Sequence, residues 1–596
     1  MIMNATIAEY SDLLEALLPA YDKLSLFPPS AAGGGEGIIR SDVFLQGDAL
    51  PEDEVAIVAV IDHVVPFAHH LLTAADGHSR VASIWLQDGV ADLSPRPDIA
   101  FGLELRGSEI DLLRQGGNGH PRSEEEIYRA IGLMEPGRRD ARWMMRASSH
   151  GAAVACTAAG FLPDDRAGRA HPLIAVGLPD WALADTSGAV MPLLLQASVV
   201  FIISRARMLA AEINADRAQR GKPPVRPPIV VNISLGITAG PRDGTSLIER
   251  MHDVISAQPP SDLGQVHFVL ASGNTRQRRQ NAVLKAGADA PGEIGWNLPP
   301  DDRTISELQI WAPVLPAGAP AIRLRLTLPG AASAPARSIE TAFDDPVGAG
   351  AQIAMILDDQ ERELARLVLQ AFARGDRLRQ CLTMIVPPTA SDKPGPVLSP
   401  PGTWQIELLP GGPSPCDVVV QRDDRLFGFP RAGRQSWLVD PTYVERDAHG
   451  HWQAADPADP SAIRRNGTAN AYAWGERQLR VGAHYRIGPW HADDGPTRRL
   501  SSYAGLLANG DCGDLTAAGD RCVALPGVPA PGLRGRATQI VSGTSIAAPR
   551  ITRWLAARMA GSTPPMTRSQ IVTAAKNGPG NPAGVPFVDI PMPWDR

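Results

Sequence analysis

The run Val541–Met559, VSGTSIAAPRITRWLAARM, constrains this chain more than any other stretch. Its core, Gly543-Thr544-Ser545-Ile546-Ala547-Ala548-Pro549, sets a glycine, two hydroxyl residues and small residues ahead of an apolar pattern. Ile551, Trp554, Leu555 and Met559 recur at helical spacing, which predicts a buried helix with Ser545 at its start. Gly543 permits a tight turn into that helix. Ala547 and Ala548 leave room for close packing behind the serine. A hydroxyl there faces free backbone N–H groups and a partial positive charge, a suitable place for a nucleophile whose product is an oxyanion. A serine at an ordinary N-cap would look similar in isolation, so the string needs context from the rest of the chain.

That context comes in pieces. Val55–Ile61 is a continuous apolar run, the pattern of a parallel strand buried on both faces, and it ends at Asp62. Open α/β sheets place their sites at such carboxyl ends. Ser148-Ser149-His150-Gly151 then opens a helix of small residues, Ala152 to Ala159. Between the two, Arg80–Leu86 reads as a strand and Ser123–Leu133 as a charged helix, an insertion on the surface. From about residue 171 strands and helices alternate in the manner of βαβ units. The strands are Leu173–Val176, Pro228–Leu235 and Val266–Ala271; the helices run from Met191 to about Arg220 and, capped by Ser246 and Glu249, to about Ser256. The last strand leads into Ser272-Gly273-Asn274, where an asparagine is also a common turn residue.

These strings resemble the motifs of the subtilases, the subtilisin-like serine proteases. Gly-Thr-Ser-x-Ala-x-Pro is similar to the family's nucleophile motif. His150, Gly151, Val154 and Ala155 match its histidine motif, with Ala152, Ala153 and Cys156 in place of the usual Thr, His and Gly. Asp62 resembles its catalytic aspartate, although His63 and Val64 stand where Ser or Thr and then Gly usually follow. Asn232 to Gly236 resembles the strand that binds the substrate backbone, and Ala271-Ser272-Gly273-Asn274 the string that carries the oxyanion asparagine. Leu479–Ala483 and Ser501–Gly505 resemble two further family strings, and Thr567–Lys576 a closing helix. The resemblance covers roughly residues 50–275 and 465–580.

The resemblance implies a subtilisin-like α/β fold, a parallel sheet flanked by helices. It implies catalytic roles for Asp62, His150, Ser545 and Asn274, and substrate binding by Ser234, Leu235, Gly236, Ser272 and Gly273. A free strand edge can take an extended peptide by β-augmentation, which argues for a peptide substrate rather than a small ester. A chain that retains the scaffold but binds peptide without cutting it is the alternative.

The gap of about 270 positions from Asn274 to Ser545 is enough for a further domain. Strand candidates there include Ile305–Ile310, Ile322–Leu328, Leu382–Val386, Trp404–Leu408 and Val418–Gln421, with a helix expected over Gln360–Ala373. Short strands with Pro/Gly-rich turns predict an inserted β-sandwich of jelly-roll type. The expected division is 1–50 an N-terminal helix and loop, 51–280 and 466–596 the two parts of the catalytic domain, and 281–465 the inserted mainly-β domain.

Composition bounds the partners. A net charge of −7 and the lack of a basic cluster exclude a nucleic-acid footprint. The apolar segment Met191–Ile203 is too short for a membrane span and contains Gln196 and Ser198. Five cysteines form no C-x-x-C pair, and free thiols are expected over a Cys512–Cys522 bridge. Residues 1–25 carry Glu9, Asp12, Glu15 and Asp22 with no basic start, so an amphipathic helix over Ile7–Tyr21 and a cytoplasmic location are expected. The chemistry requires no cofactor. No D-x-D-x-D-G loop is present, so no motif supports a calcium site, and a structural calcium held by scattered loops is left open. About 55 residues precede the Asp62 strand, too few for a secretion signal and the pro-domain of secreted relatives. Restraint by narrow specificity, by the insertion or by an activating or inhibiting protein partner is therefore expected.

Overall fold

The structure is a computed structural model. It describes residues 39–595 except 52, 54, 90–95, 97, 100, 117–119, 136, 138–142, 163, 331–336, 346–350, 431, 454–455, 457–460, 487–498, 561–564, 578–586, 589 and 591. The helix expected over residues 7–21 lies outside the described residues.

The first part of the chain supplies strands β1 (Ile57–His63), β2 (Val81–Leu86), β3 (Leu103–Arg106), β4 (Leu173–Leu178), β5 (Ile229–Ile233) and β6 (Val266–Ala271). Between them run helices α1 (Gly107–Gln115), α2 (Glu124–Ala130), α3 (His150–Ala159), α4 (Met191–Gln219) and α5 (Leu247–Ala257). β1 pairs in parallel with β4 on one side and β5 on the other, so both its edges are satisfied within the sheet. Its apolar run is explained by two covers. Val58 and Val60 face a layer that includes α3, while Ile57, Ala59 and Ile61 face α4 and α5. Period-two alternation with both faces apolar is what a doubly covered parallel strand requires. α4 is long and apolar enough to cross a membrane by length and composition alone. Here it packs on the sheet through Leu195, Val199, Ile202 and Leu209, and its Gln196 and Ser198 are buried as well. Ser246 caps α5 reciprocally with Glu249, as its sequence predicts.

Eleven strands follow: β7 (Asn281–Leu284), β8 (Gly292–Leu298), β9 (Ser306–Pro316), β10 (Leu324–Leu328), β11 (Arg337–Glu340), β12 (Ala351–Leu357), β13 (Glu363–Arg374), β14 (Arg377–Val386), β15 (Gly402–Leu408), β16 (Cys416–Val420) and β17 (Trp437–Val439). They form two antiparallel sheets, β11-β10-β15-β8-β17 and β12-β13-β14-β9-β16-β7. The two share one core, in which Trp296 and Trp404 face each other across β8 and β15 and are fully buried. The helix expected over Gln360–Ala373 is not formed. Those residues lie in β13, which pairs with β12 and β14. Leu364, Leu367, Val368 and Ala371 mimic a helical face, but burial falls on Ala365, Leu367 and Leu369, with period two. The Gly375-Asp376 turn that closes β13 onto β14 is the hairpin signal that outweighs the helix formers.

The chain then returns to the main sheet with β18 (Leu479–Tyr485) and β19 (Leu515–Asp520). A small hairpin, β20 (Val528–Pro531) with β21 (Thr538–Val541), leads into α6 (Thr544–Met559), and α7 (Arg568–Lys576) follows. The complete main sheet has the order β19-β18-β6-β5-β1-β4-β2-β3. All its pairings are parallel except β2 with β3 at the edge. Ile551, Leu555 and Met559 of α6 join the same core as Val58 and Val60 of β1. α6 and the central strand β1 therefore pack directly, across nearly the whole length of the sequence.

Candidate active site

The residues that the sequence singles out meet at the carboxyl ends of β1, β5 and β6. They line a cleft of about 450 Å3 that includes Asp62, His150, Ser234, Gly236, Gly273, Asn274 and Ser545. This is the crevice at which parallel sheets gather their chemistry.

Asp62, last but one in β1, is fully buried. Both its oxygens lie on His150 Nδ1, at 2.8 and 2.9 Å, and its Oδ1 also accepts from the His63 N–H at 2.7 Å. His150 is the first residue of α3, with Ser149 as N-cap. Gly151 allows that approach, because a Cβ there would lie 2.0 Å from the His63 carbonyl oxygen. Ser149 fastens the junction: its hydroxyl accepts from the Ala152 N–H and donates to the Val64 carbonyl at 3.0 Å. Burial pulls the His150 pKa down, but the Asp62 charge and hydrogen bond outweigh it and the net shift is upward. The unexpected His63 adds no charge beside this pair at neutral pH. Burial drives its pKa down to about 4, against the pull of Asp62.

Ser545 sits in the first turn of α6, where its N–H has no acceptor within the helix. Gly543 is the N-cap at φ 140°, and a Cβ there would lie 3.1 Å from Asn274 Nδ2 and 3.2 Å from Ser545 Oγ. The glycine thus keeps open the space that the amide nitrogen and the serine hydroxyl share. The oxygen of the same Asn274 amide accepts from the Thr544 N–H and the Thr544 hydroxyl, each at 3.0 Å. With the oxygen held, the N–H side of the amide is turned toward the serine.

The expected substrate residues divide. Leu235, Gly236 and Gly273 line the cleft with Ser234. The Ser234 hydroxyl is engaged inward, donating to the Ser545 carbonyl at 2.9 Å. Ser272 is not among the lining residues: its side chain is fully buried between Ala271 and Gly273, which do line the cleft. Alternate side chains of an extended segment point to opposite sides.

Several cleft residues were not foreseen: Asp185, Thr186, Met191, Ile237, Thr238, Arg278, Arg422 and Asn470. Asn470 is a brace. Its amide donates to the carbonyls of Leu235 at 2.9 Å and Ala271 at 3.2 Å, and accepts from the Tyr472 N–H at 3.0 Å, tying the ends of β5 and β6 together. Its place four residues after Asn466 in a Gly-containing loop was the available signal. Arg422, in the loop after β16, carried none. The five cysteines are free. Among the described residues no group of three or more His, Cys, Asp or Glu side chains is arranged to hold a metal ion.

Fold and site together define a class: an α/β protein with a mainly parallel sheet whose carboxyl ends gather an Asp–His pair, an asparagine amide and a helix-start serine. A solved structure with this architecture is the CspB protease of Clostridium perfringens, to which the chain is similar with a TM-score of 0.51 over 89% of this chain and 91% of that one, at 14% sequence identity. No family model and no curated protein matches the chain. The likeness is one of fold.

Proposed function

We propose that this protein is a serine endopeptidase of the subtilisin type. The observation that carries the reading is the contact of both Asp62 oxygens with His150 Nδ1, in the same cleft as Ser545 and Asn274. A serine hydroxyl is a weak nucleophile at neutral pH. His150 takes its proton as the oxygen attacks the scissile carbonyl, then returns it to the leaving amine. Asp62 holds the imidazole with Nδ1 protonated and balances the imidazolium. The Asn274 amide and the Ser545 N–H receive the oxyanion, and water resolves the acyl-enzyme. The extended segment Ser234–Gly236 pairs with the peptide ahead of the scissile bond.

On this reading residues 51–280 and 466–596 build the catalytic domain, and 281–465 form an inserted β-sandwich that narrows specificity. The N-terminal segment is 1–50. No cofactor takes part, and structural calcium is left open. The substrate is protein or peptide, and an activating or inhibiting protein partner supplies restraint; neither nucleic acid nor membrane is a partner. Free cysteines, four of them buried, suit a cytoplasmic setting.

Labelling with a fluorophosphonate probe tests the assignment. Wild type should label, Ser545→Ala should not, and His150→Ala and Asp62→Ala should label far more slowly. Well-folded wild type that remains unlabelled would overturn it in favour of a peptide-binding scaffold.

A further inference from the structure

Among the described residues, the segment 281–465 lines the cleft at Arg422, in the loop that follows β16. The Gln421 amide donates to the Ser187 carbonyl at 2.9 Å, and the Arg422 N–H donates to the Thr238 hydroxyl at 2.9 Å. Thr238 in turn donates to Gln421 Oε1 at 2.8 Å. Thr186 donates its hydroxyl to Asp424 at 3.1 Å and its N–H to the Arg425 carbonyl at 2.8 Å. These bonds fix the backbone of Arg422, a residue of the cleft lining, beside Thr238, which continues the Ser234–Gly236 segment, and its guanidinium is held by Asp424.

Arg278 lines the same cleft, four residues beyond Asn274. Burial, and then the charge of Arg422, lowers its pKa, so the two guanidiniums act on each other. The carboxylates nearby are committed elsewhere. Asp424 is held by Arg422 at 2.7 and 3.2 Å and by Thr186. Asp185 accepts from the Ser187 N–H and hydroxyl, and Asp62 belongs to His150. Among the described residues no carboxylate lies within ion-pair distance of Arg278. The mouth of the cleft therefore holds two cations, of which Arg278 lacks a direct counter-ion.

We propose that Arg278 and Arg422 select peptides with Asp or Glu immediately before the scissile bond. The proposal rests on the endopeptidase reading above and names its substrate class. The position follows from the anchoring: Arg422 is fixed to Thr238, on the segment that pairs with the acyl side of the peptide, and Arg278 follows the oxyanion asparagine. A carboxylate between them relieves their repulsion and accepts charge-assisted, fork-shaped hydrogen bonds from either guanidinium. The insertion thereby acts on specificity through a single side chain.

A positional-scanning library of acetylated tetrapeptides linked through an amide to aminocoumarin tests this. Wild type should cleave after Asp or Glu about tenfold or more faster, in kcat/KM, than after the neutral isosteres Asn and Gln. Arg278→Glu should move the preference to Lys and Arg, a gain that a merely structural role cannot produce. Equal cleavage of acidic and neutral peptides, or an Arg278→Glu enzyme that keeps the acidic preference, overturns the proposal. Its failure is separable from failure of the endopeptidase reading. Fluorescein-labelled hexapeptides that differ only by Asp or Asn, titrated onto Ser545→Ala and followed by anisotropy, report the preference without turnover. Tighter binding of the Asp peptide supports the proposal even in a protein that cuts nothing, and equal binding refutes it.

Discussion

The hydroxyl of Ser234 donates to the backbone carbonyl of Ser545 at 2.9 Å. In an uninterrupted helix that carbonyl would accept from the N–H four residues on, but residue 549 is proline and has none. Ser234 fills the vacancy, and it is itself held by Asn232 Nδ2 at 2.9 Å, whose Oδ1 accepts from Thr552 at 3.1 Å. The end of β5 is thus fastened to two points of α6. Removing the hydroxyl in Ser234→Ala should cost about 1–3 kcal/mol, because a buried carbonyl loses its donor. Urea denaturation measures it. Adding Pro549→Ala returns a helical donor, so the double variant should lose less than the sum of the two single variants.

The upward shift of His150 fixes the sign of the pH dependence. On the proposed reading His150 acts as base only when neutral, so the acid limb of kcat/KM should lie above the ordinary histidine value of about 6.5. Asp62→Asn removes the charge that raises it and should move the limb downward. The same change should lower the rate by about 10⁴, through loss of the productive tautomer. A pH–rate profile of both proteins gives the answer, and a limb that does not move would contradict the Asp62–His150 pairing.

Asn274 should act in the transition state rather than on the bound substrate. Asn274→Leu keeps the volume and removes the donor, and should lower kcat by about 10²–10³ with little change in KM. Thr544→Val leaves only the backbone N–H to hold the Asn274 oxygen, so it should show a milder form of the same kcat loss. Steady-state kinetics on one peptide amide separates the two effects.

Val64 adopts φ 54°, a left-handed backbone that is costly for a β-branched residue, directly after the Asp62-His63 pair. Its carbonyl accepts the Ser149 hydroxyl at 3.0 Å, so the strained turn helps to fasten the start of α3. Val64→Gly should relieve about 1–3 kcal/mol of strain while losing about 1.5 kcal/mol of apolar burial. The net change in stability should be small. Val60→Gly, also buried but in regular strand, should instead destabilise by several times as much, and calorimetry compares the two.

Glu249 couples stability to pH away from the cleft. It accepts from the Trp474 N–H at 2.7 Å and from the Ser246 N–H at 3.2 Å. Burial nevertheless pushes its pKa up to about 7. A carboxyl raised in the folded state favours folding fully below its unfolded pKa, and this contribution is lost as pH rises toward 7. The loss between about pH 4.5 and 7 should be on the order of 3 kcal/mol, and Glu249→Gln should flatten it. Denaturation midpoints across that window decide.

What the sequence made legible follows from locality. β1, β5 and β6 are short apolar runs that end at chemistry-bearing residues, so strand, direction and site appear together. α6 shows itself by spacing, and α5 by the Ser246–Glu249 cap. β13 did not show itself, since leucines and alanines serve a strand as well as a helix once neighbouring strands cover both edges. The inward turn of the Ser272 side chain was not legible, because a motif does not state which way each side chain points. Arg278 and Arg422 were illegible for another reason: their roles depend on loops brought together from distant parts of the chain, and no local pattern encodes that.

The pairing of β6 with β18 across the whole insertion orders events at the ribosome. Asp62 and His150 are translated early, and Ser545 is the last of the four site residues to be made. Before α6 emerges, the Val58 and Val60 face of β1 lacks part of its cover, and before β18 arrives the edge of β6 is open. A nascent chain of this kind offers a chaperone both an apolar layer and a free strand edge. The segment that covers the apolar layer is also the one that carries Ser545. On the proposed reading an unfinished chain lacks its nucleophile, and the cleft is complete only when the fold is.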